Sequence, residues 1–334
     1  MDSVKLSKSN KYNPIGKISF IGSIYEKEIK KADKLMSNFS FFKSVEERHD
    51  NAIEIFKSVF AKCLLAKKYA EALYCAEKIM LCGIKVYDHY TYYDYGMRCV
   101  EIGEKTNEYD YCIKKLHELV ETLSDDHKYF SKLVDIWEYT ARIEILRNNN
   151  NDAIDAYLKA SEITTYPHTT TKYKFEAVKL LLGDEKYREC LNILNEMIRL
   201  CEKTDSLKYH VKEYILYLWM ISLILTNKDP IQNKYDTLEV QSKVENHKYR
   251  FDVKRSIEYD LVMACIEALE NDNVEIFNKA VTYYDRIKRL DNYMTKMLLI
   301  IKNKLSNSDN VVIGDNNNNN SSGSNDFDFD IDLR

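Results

Sequence analysis

A short phrase recurs along this chain and leaves few folds open to it. Lys68-Tyr69-Ala70-Glu71-Ala72-Leu73 returns as Glu108-Tyr109-Asp110-Tyr111-Cys112-Ile113, then as Asn151-Asp152-Ala153-Ile154, and again as Lys186-Tyr187-Arg188-Glu189-Cys190-Leu191. Glu275-Ile276-Phe277 is a weaker copy, and a degraded one lies around residues 235–240. The period is about 40 residues, the length of one helical hairpin in a repeat array. In each strong copy a small side chain (Ala72, Cys112, Ala153, Cys190) precedes a large aliphatic one. Apolar residues then follow at i+3 and i+4, as in Ala153, Ala156, Tyr157 and Ala160, which places them on one helix face. A second amphipathic stretch fills each interval, for example residues 129–146 and 210–225. One hairpin cannot bury its apolar stripe alone, so neighbours must stack. The pattern predicts an all-α protein, a tetratricopeptide-like right-handed solenoid of helical hairpins. An ordinary helical bundle with chance internal similarity is the competing arrangement.

The chain of 334 residues holds only 8 Gly and 3 Pro. Tight turns draw on both residues, so their scarcity argues for long helices and few tight turns. Pro14, Pro167 and Pro230 fall between apolar-periodic segments, where a helix can stop. Lys and Arg number 49 against 53 Asp and Glu, so no overall field invites nucleic acid. Cys63, Cys75, Cys82, Cys99, Cys112, Cys190, Cys201 and Cys265 are dispersed in helical patterns, with no C-x-x-C or zinc spacing. They read as buried reduced thiols. The opening MDSVKLSKSNKYNP has no apolar core of a signal peptide, and no run approaches 18 apolar residues. A cytoplasmic protein is expected. The 26 tyrosines receive no individual role at this stage, since an AT-rich genome explains them equally well.

The solenoid is expected to occupy residues 1–305, with its last part, about 240–305, forming a small C-terminal helical bundle. Residues 306–325 contain GDNNNNNSSGSND, a polar low-complexity linker expected to be disordered. Residues 326–334 alternate acids with Phe327, Phe329, Ile331 and Leu333. A 20-residue flexible linker reaches roughly 25 Å, enough for this terminus to find a partner. The seven histidines show no H-E-x-x-H or other metal-ligand spacing, and neither a phosphate loop nor a nucleophile elbow occurs. Asp125-Asp126 reads as a helix cap rather than an acid/base pair. No enzyme, cofactor or metal is expected; a binding scaffold is.

Near the C-terminal end the sequence becomes specific. Ile266-Glu267-Ala268-Leu269-Glu270-Asn271-Asp272-Asn273-Val274 leads into Val281-Thr282-Tyr283-Tyr284-Asp285-Arg286-Ile287 and then Arg289-Leu290-Asp291-Asn292-Tyr293-Met294. These segments resemble the terminal helices of the soluble NSF attachment protein (SNAP) family, of the alpha type. The ending Asp332-Leu333-Arg334, the helix start Leu207-Lys208-Tyr209-His210-Val211-Lys212-Glu213-Tyr214, and Ser40-Phe41-Phe42 followed by Asn51-Ala52-Ile53-Glu54-Ile55-Phe56 resemble it too. The resemblance implies a non-enzymatic adaptor in vesicle fusion and intracellular transport. Such adaptors bind four-helix SNARE bundles of the syntaxin type and recruit the hexameric ATPase NSF, which unwinds the bundle. They act at the cytosolic face of membranes as peripheral proteins.

The resemblance also assigns residues. A basic face for the acidic SNARE bundle would use Lys172, Lys174, Lys179, Lys212 and Arg255, although Glu176 stands where a base is expected. Solvated helix-face lysines are the alternative. An acidic end for the ATPase would use Glu267, Glu270 and Asp272, with Asn271 replacing an expected acid; a plain exposed turn is the alternative. Phe327, Phe329, Ile331 and Leu333 would stimulate the ATPase, or else form a solubilising tail. Phe39, Phe41 and Phe42 would touch a membrane, or else pack on the first hairpin. Two other functions compete: a generic scaffold for unrelated peptides, and a decoy that binds without coupling disassembly.

Overall fold

The structure, a computed structural model, describes residues 24–37, 44–226, 230–246 and 253–306. Among them are fourteen α-helices and no strand. They run α1 (Glu26–Ser37), α2 (Val45–Leu65), α3 (Tyr69–Lys85), α4 (His89–Lys105), α5 (Tyr109–Leu123), α6 (Phe130–Leu146) and α7 (Asn150–Ile163). Then follow α8 (Pro167–Gly183), α9 (Tyr187–Lys203), α10 (Val211–Ile224), α11 (Pro230–Asn246), α12 (Ile257–Asn271), α13 (Val274–Ile287) and α14 (Asn292–Ser306). Pro167 and Pro230 open α8 and α11, at positions where a missing N–H is no loss. No helix among the described residues is long and apolar enough to cross a membrane. The chain divides into two compact units, one ending at Leu218 within α10 and the other beginning at Trp219.

In the first unit each helix from α1 to α8 packs on the next in sequence, the consecutive hairpin stacking that the repeat predicts. The recurring phrase opens α3, α5, α7 and α9, so it marks alternate helices of the array. Its small residues explain the hairpins. Ala72, Cys112, Ala153 and Cys190 are fully buried, whereas Ile113 and Leu191 beside them are only half-buried. The Cys112 thiol sits 3.4 Å from the Val100 carbonyl oxygen of α4, and a Cβ built on Gly103 would stand 2.6 Å from its sulfur. A small side chain facing a glycine lets α4 and α5 approach closely.

Tight turns are more frequent than the glycine count predicts. The N–H groups of Lys68, Asp88, Glu108, Asn149 and Lys186 each reach the carbonyl five residues back, at 2.8–2.9 Å. Just before each stands a left-handed residue that is not glycine: Lys67, Tyr87, Asn107, Asn148 and Glu185, with φ between 54° and 60°. This is the Schellman closure of a helix end. The small strain of a left-handed side chain is held by the hairpins on both sides, so glycine is not required. Substituting Lys67→Gly should therefore stabilise the fold by about 0.5–1 kcal/mol, read as a higher urea midpoint. No change, or a loss, would mean that unfolded-chain entropy outweighs the released strain.

Hydrogen bonds also link alternate helices. Tyr74 (α3) donates to Asp33 (α1), Tyr111 (α5) to Glu77 (α3), Tyr139 (α6) to Glu104 (α4) and Tyr173 (α8) to Glu138 (α6), at 2.6–2.9 Å. Donor and acceptor lie 41, 34, 35 and 35 residues apart, close to one repeat. Each carboxylate also meets a cation from the donor's helix: Lys78, Lys115, Arg142 and Lys172 respectively. A recurring tyrosine and cation thus clamp the acid one repeat earlier and set the lateral spacing of the array. All eight cysteines are buried and free. Burial pushes their thiols up, to about 11 at Cys63 and Cys201 and about 12 at Cys82, Cys99, Cys112, Cys190 and Cys265, so thiolate chemistry is suppressed.

In the second unit α12 packs against α11, α13 and α14. Its helix starts are capped by side chains. Ser256 accepts from the Tyr259 N–H, Asn273 from those of Glu275 and Ile276, and Asp291 from that of Met294. Lys304 of α14 reaches across to the end of α10 and donates to the carbonyls of Leu223 and Thr226 and to the Thr226 hydroxyl, at 2.6–2.9 Å.

Candidate functional site

The expected basic face falls mainly on α8. Successive helical residues turn by about 100°, so Lys172, Glu176 and Lys179 share a stripe while Lys174 points away from it. The structure pairs all three lysines with acids. Lys172 lies 2.8 Å from Glu138 of α6, Lys179 lies 2.7 Å from Glu176, and Lys174 turns to α9 to meet Glu196 at 2.5 Å. Glu176, the departure noted in the sequence, thus neutralises Lys179. Burial works to raise the Glu138 pKa, but hydrogen bonds from Lys172 and Tyr173 outweigh it and hold the carboxyl below its ordinary value. Lys212, half-buried in the first turn of α10, has no ion pair with a described residue. Beside it the α8–α10 contact is aromatic, with the Phe175 ring 5.3 Å from Tyr214 and 5.1 Å from Tyr217. Arg255 belongs to the second unit, exposed in the turn before α12.

Two cations that sequence reasoning missed keep their charge available. Lys132 of α6 sits 4.8 Å from the Tyr93 ring centre, and Lys159 of α7 sits 4.4 Å from that of Trp137. An aromatic face orients a cation without neutralising it. For Lys132 the sequence signal was a lysine one repeat downstream of Tyr93, hidden among many tyrosines; Lys159 stands only 22 residues after Trp137 and carried no such signal.

The expected acidic end falls on α12. Glu267 is exposed, Glu270 is half-buried, and Asp272 is an exposed left-handed residue (φ 48°) that closes the helix through its N–H to Ala268. Asn271 donates its side-chain amide to the Glu267 carbonyl, which gives that departure a capping role. Asp260, Ala264 and Glu267 recur at i, i+4 and i+7 and so share one face. That face borders two shallow grooves. One, of about 420 Å³, runs between α12 and α13 and includes Leu261, Ile276 and Tyr283. The other, of about 390 Å³, includes Gln241, Met263 and Glu270. Asp260, seven residues before Glu267, is the acid that sequence reasoning overlooked. Asp126 caps a short 3-10 turn by accepting from the Lys128 N–H, as its sequence suggested. Phe39, Phe41 and Phe42, like Phe327, Phe329, Ile331 and Leu333, lie outside the described residues.

Comparison with known proteins gives this arrangement a family. The pattern of the family described as soluble NSF attachment protein, SNAP, matches residues 23–306. A probable vesicular-fusion protein sec17 homolog of Neurospora crassa is 32% identical over 106 residues, covering 32% of this chain and 34% of that protein. The alpha-soluble NSF attachment protein of Mus musculus is 27% identical over 126 residues, covering 37% and 39% of the two chains. That of Vitis vinifera is 24% identical over 178 residues, covering 52% and 56%. The chain therefore aligns with about a third to just over half of the length of these curated relatives. The family match is longer, running from just before α1 to the end of α14. It embraces the whole described array, and the chain belongs to the soluble NSF attachment protein family.

Proposed function

We infer that the chain is an adaptor that binds SNARE complexes and recruits and stimulates an NSF-type hexameric ATPase for their disassembly in vesicle fusion and intracellular transport. The observation that carries this reading is the family match along the full helical array. The relatives' names, NSF attachment and vesicular fusion, point to the same role. In this reading the adaptor itself catalyses nothing and works at the cytosolic face of membranes as a peripheral protein. Lys212, Lys132 and Lys159 supply standing positive charge for the acidic bundle. Lys172, Lys174 and Lys179 join them by exchanging one carboxylate for another; exposed ion pairs contribute only about 0–1 kcal/mol, so the exchange costs little. Arg255 adds to this set from the second unit. Asp260, Glu267, Glu270 and Asp272 form the acidic end that receives the ATPase. Residues 306–325 serve as a linker, and Phe327, Phe329, Ile331 and Leu333 as the stimulating motif. Burying one such side chain in a partner contributes roughly 1.5–3 kcal/mol, about a tenfold to hundredfold change in affinity.

A second reading, a decoy that binds without coupling, is favoured by Glu176 neutralising Lys179 and by Asn271 capping its own helix. One assay separates the two: SNARE-complex disassembly with NSF and ATP, comparing the intact chain with one lacking residues 326–334. The adaptor reading expects disassembly by the intact chain and loss of at least tenfold in rate on truncation. SNARE capture without disassembly by either form would hand the protein to the decoy reading. Failure to bind SNARE complexes would overturn both.

A further inference from the structure

The clamps that join α4, α6 and α8 differ from the sealed Glu77–Lys115 clamp of α3 and α5 in being open to water. Glu104 of α4 and Arg142 of α6 are 28% and 51% exposed, and Glu138 of α6 and Lys172 of α8 are 43% and 55% exposed. In each open clamp one tyrosine serves both charges. The Tyr139 hydroxyl donates to Glu104 at 2.6 Å, while the Arg142 guanidinium lies 3.8 Å from the centre of the same ring. The Tyr173 hydroxyl donates to Glu138 at 2.6 Å, while the Lys172 ammonium lies 4.9 Å from that ring centre. Each tyrosine follows its acid by 35 residues, so the device is repeated one period on.

We propose that Glu104 and Glu138 are built-in competitors that set the affinity and the selectivity of the basic face for its acidic partner. The proposal rests on the adaptor reading and adds Arg142 to the cations of that face. Each acid occupies its cation until a partner carboxylate takes its place. The exchange breaks one exposed ion pair and leaves the rest of the clamp standing. The displaced acid keeps its phenol donor, and the cation keeps the ring beneath it. Freed of its acid, each cation would be presented as Lys132 and Lys159 are over Tyr93 and Trp137, oriented but not neutralised.

The same arrangement sets which partner is accepted. A lone carboxylate that displaces Glu138 exchanges one ion pair for another, with almost nothing left to offset the freedom lost on binding. A rigid surface that presents several acids loses that freedom once and displaces both competitors together. Neighbouring helices in such an array stand roughly 10 Å apart, so the partner's acids must recur at about that interval. A helical bundle with acidic stripes meets the condition, and a short flexible acidic peptide does not.

Equilibrium binding of the full chain tests this with two probes, a soluble SNARE bundle and a fluorescent oligoglutamate peptide. A glutamine amide still accepts the tyrosine hydroxyl, so glutamine variants should keep the fold, which helix content and melting check. Glu138→Gln should tighten bundle binding about threefold, and Glu104→Gln combined with Glu138→Gln about tenfold, the gain shrinking as salt rises. The combined variant should also bind oligoglutamate, which the parent should not. Lys172→Gln should weaken bundle binding little in the parent but about threefold in the Glu138→Gln background, a coupling that a loss of structure would not produce. Glu189→Gln, which removes the same charge from an exposed position on α9, should leave both probes unchanged. Equal tightening by Glu189→Gln would reduce the effect to net charge and overturn the competition. So would a folded combined variant that binds both probes no tighter than the parent. If the parent captures no SNARE bundle, the adaptor reading fails, and the oligoglutamate arm alone decides whether Glu104 and Glu138 compete.

Discussion

Replacing Lys115 with methionine should destabilise the first unit by about 3–5 kcal/mol, and replacing Glu77 with methionine as well should restore most of it. The two side chains face each other between α5 and α3 at 3.5 Å, with only 11% and 8% of their surfaces exposed. Tyr111 donates to the same Glu77 carboxylate at 2.6 Å, and Glu118 holds Lys115 from its own helix at 2.6 Å. Burial works to lower the Lys115 pKa, but the Glu118 hydrogen bond and the Glu77 charge outweigh it and raise it, so the lysine is charged at neutral pH. Removing it leaves a buried carboxylate with one phenol for company. Removing both charges leaves an apolar contact of similar volume. Urea titration followed by helix content decides the matter. A single-variant loss below about 1 kcal/mol would show that water reaches Glu77, and the cluster would then be a surface feature.

The second large effect belongs to Lys304. Its ammonium closes the C-terminal end of α10 with three hydrogen bonds, to two carbonyls and a hydroxyl, from a helix about 80 residues later. A cation at a helix C-terminus also meets the negative end of the helix dipole. Lys304→Met keeps the stem and removes every donor, and should cost about 2–4 kcal/mol, since hydrogen bonds from a charged donor contribute about 1.5–3 each and water replaces part of them. The signature is local. Amide exchange should accelerate in α14 and the last turn of α10, while α2 to α6 keep their protection. Uniform acceleration throughout the chain would show instead that the two units unfold as one.

How much of this could be read in the sequence follows from what each signal depends on. The hairpin array was legible because Ala72, Cys112, Ala153 and Cys190 are required by close helix approach, which recurs with the period. The family was legible because several specific segments agreed in order. The turns were not, because Lys67, Tyr87 and Glu185 take a left-handed backbone that the neighbouring helices stabilise, and no glycine marks it. The tyrosine clamps were hidden for a related reason: a Tyr–acid pair one repeat apart is visible only when the stacking is known. The charge of the basic face was the least legible part. Lys172, Lys174 and Lys179 look alike in sequence, yet each meets a different acid, and only the fold says which.

The neighbour-on-neighbour packing of the first unit also fixes how it answers tension. Each helix from α1 to α8 packs on the next one in sequence, and among the described residues no substantial contact joins α1 to α9. Drawn out from either end, it should unzip hairpin by hairpin in small steps, with no single high-force rupture. Each hairpin re-forms by closing a loop of about 40 residues, a fast event compared with docking distant segments. The array is then a compliant spring: its ends can be peeled and re-seated while the middle stays folded.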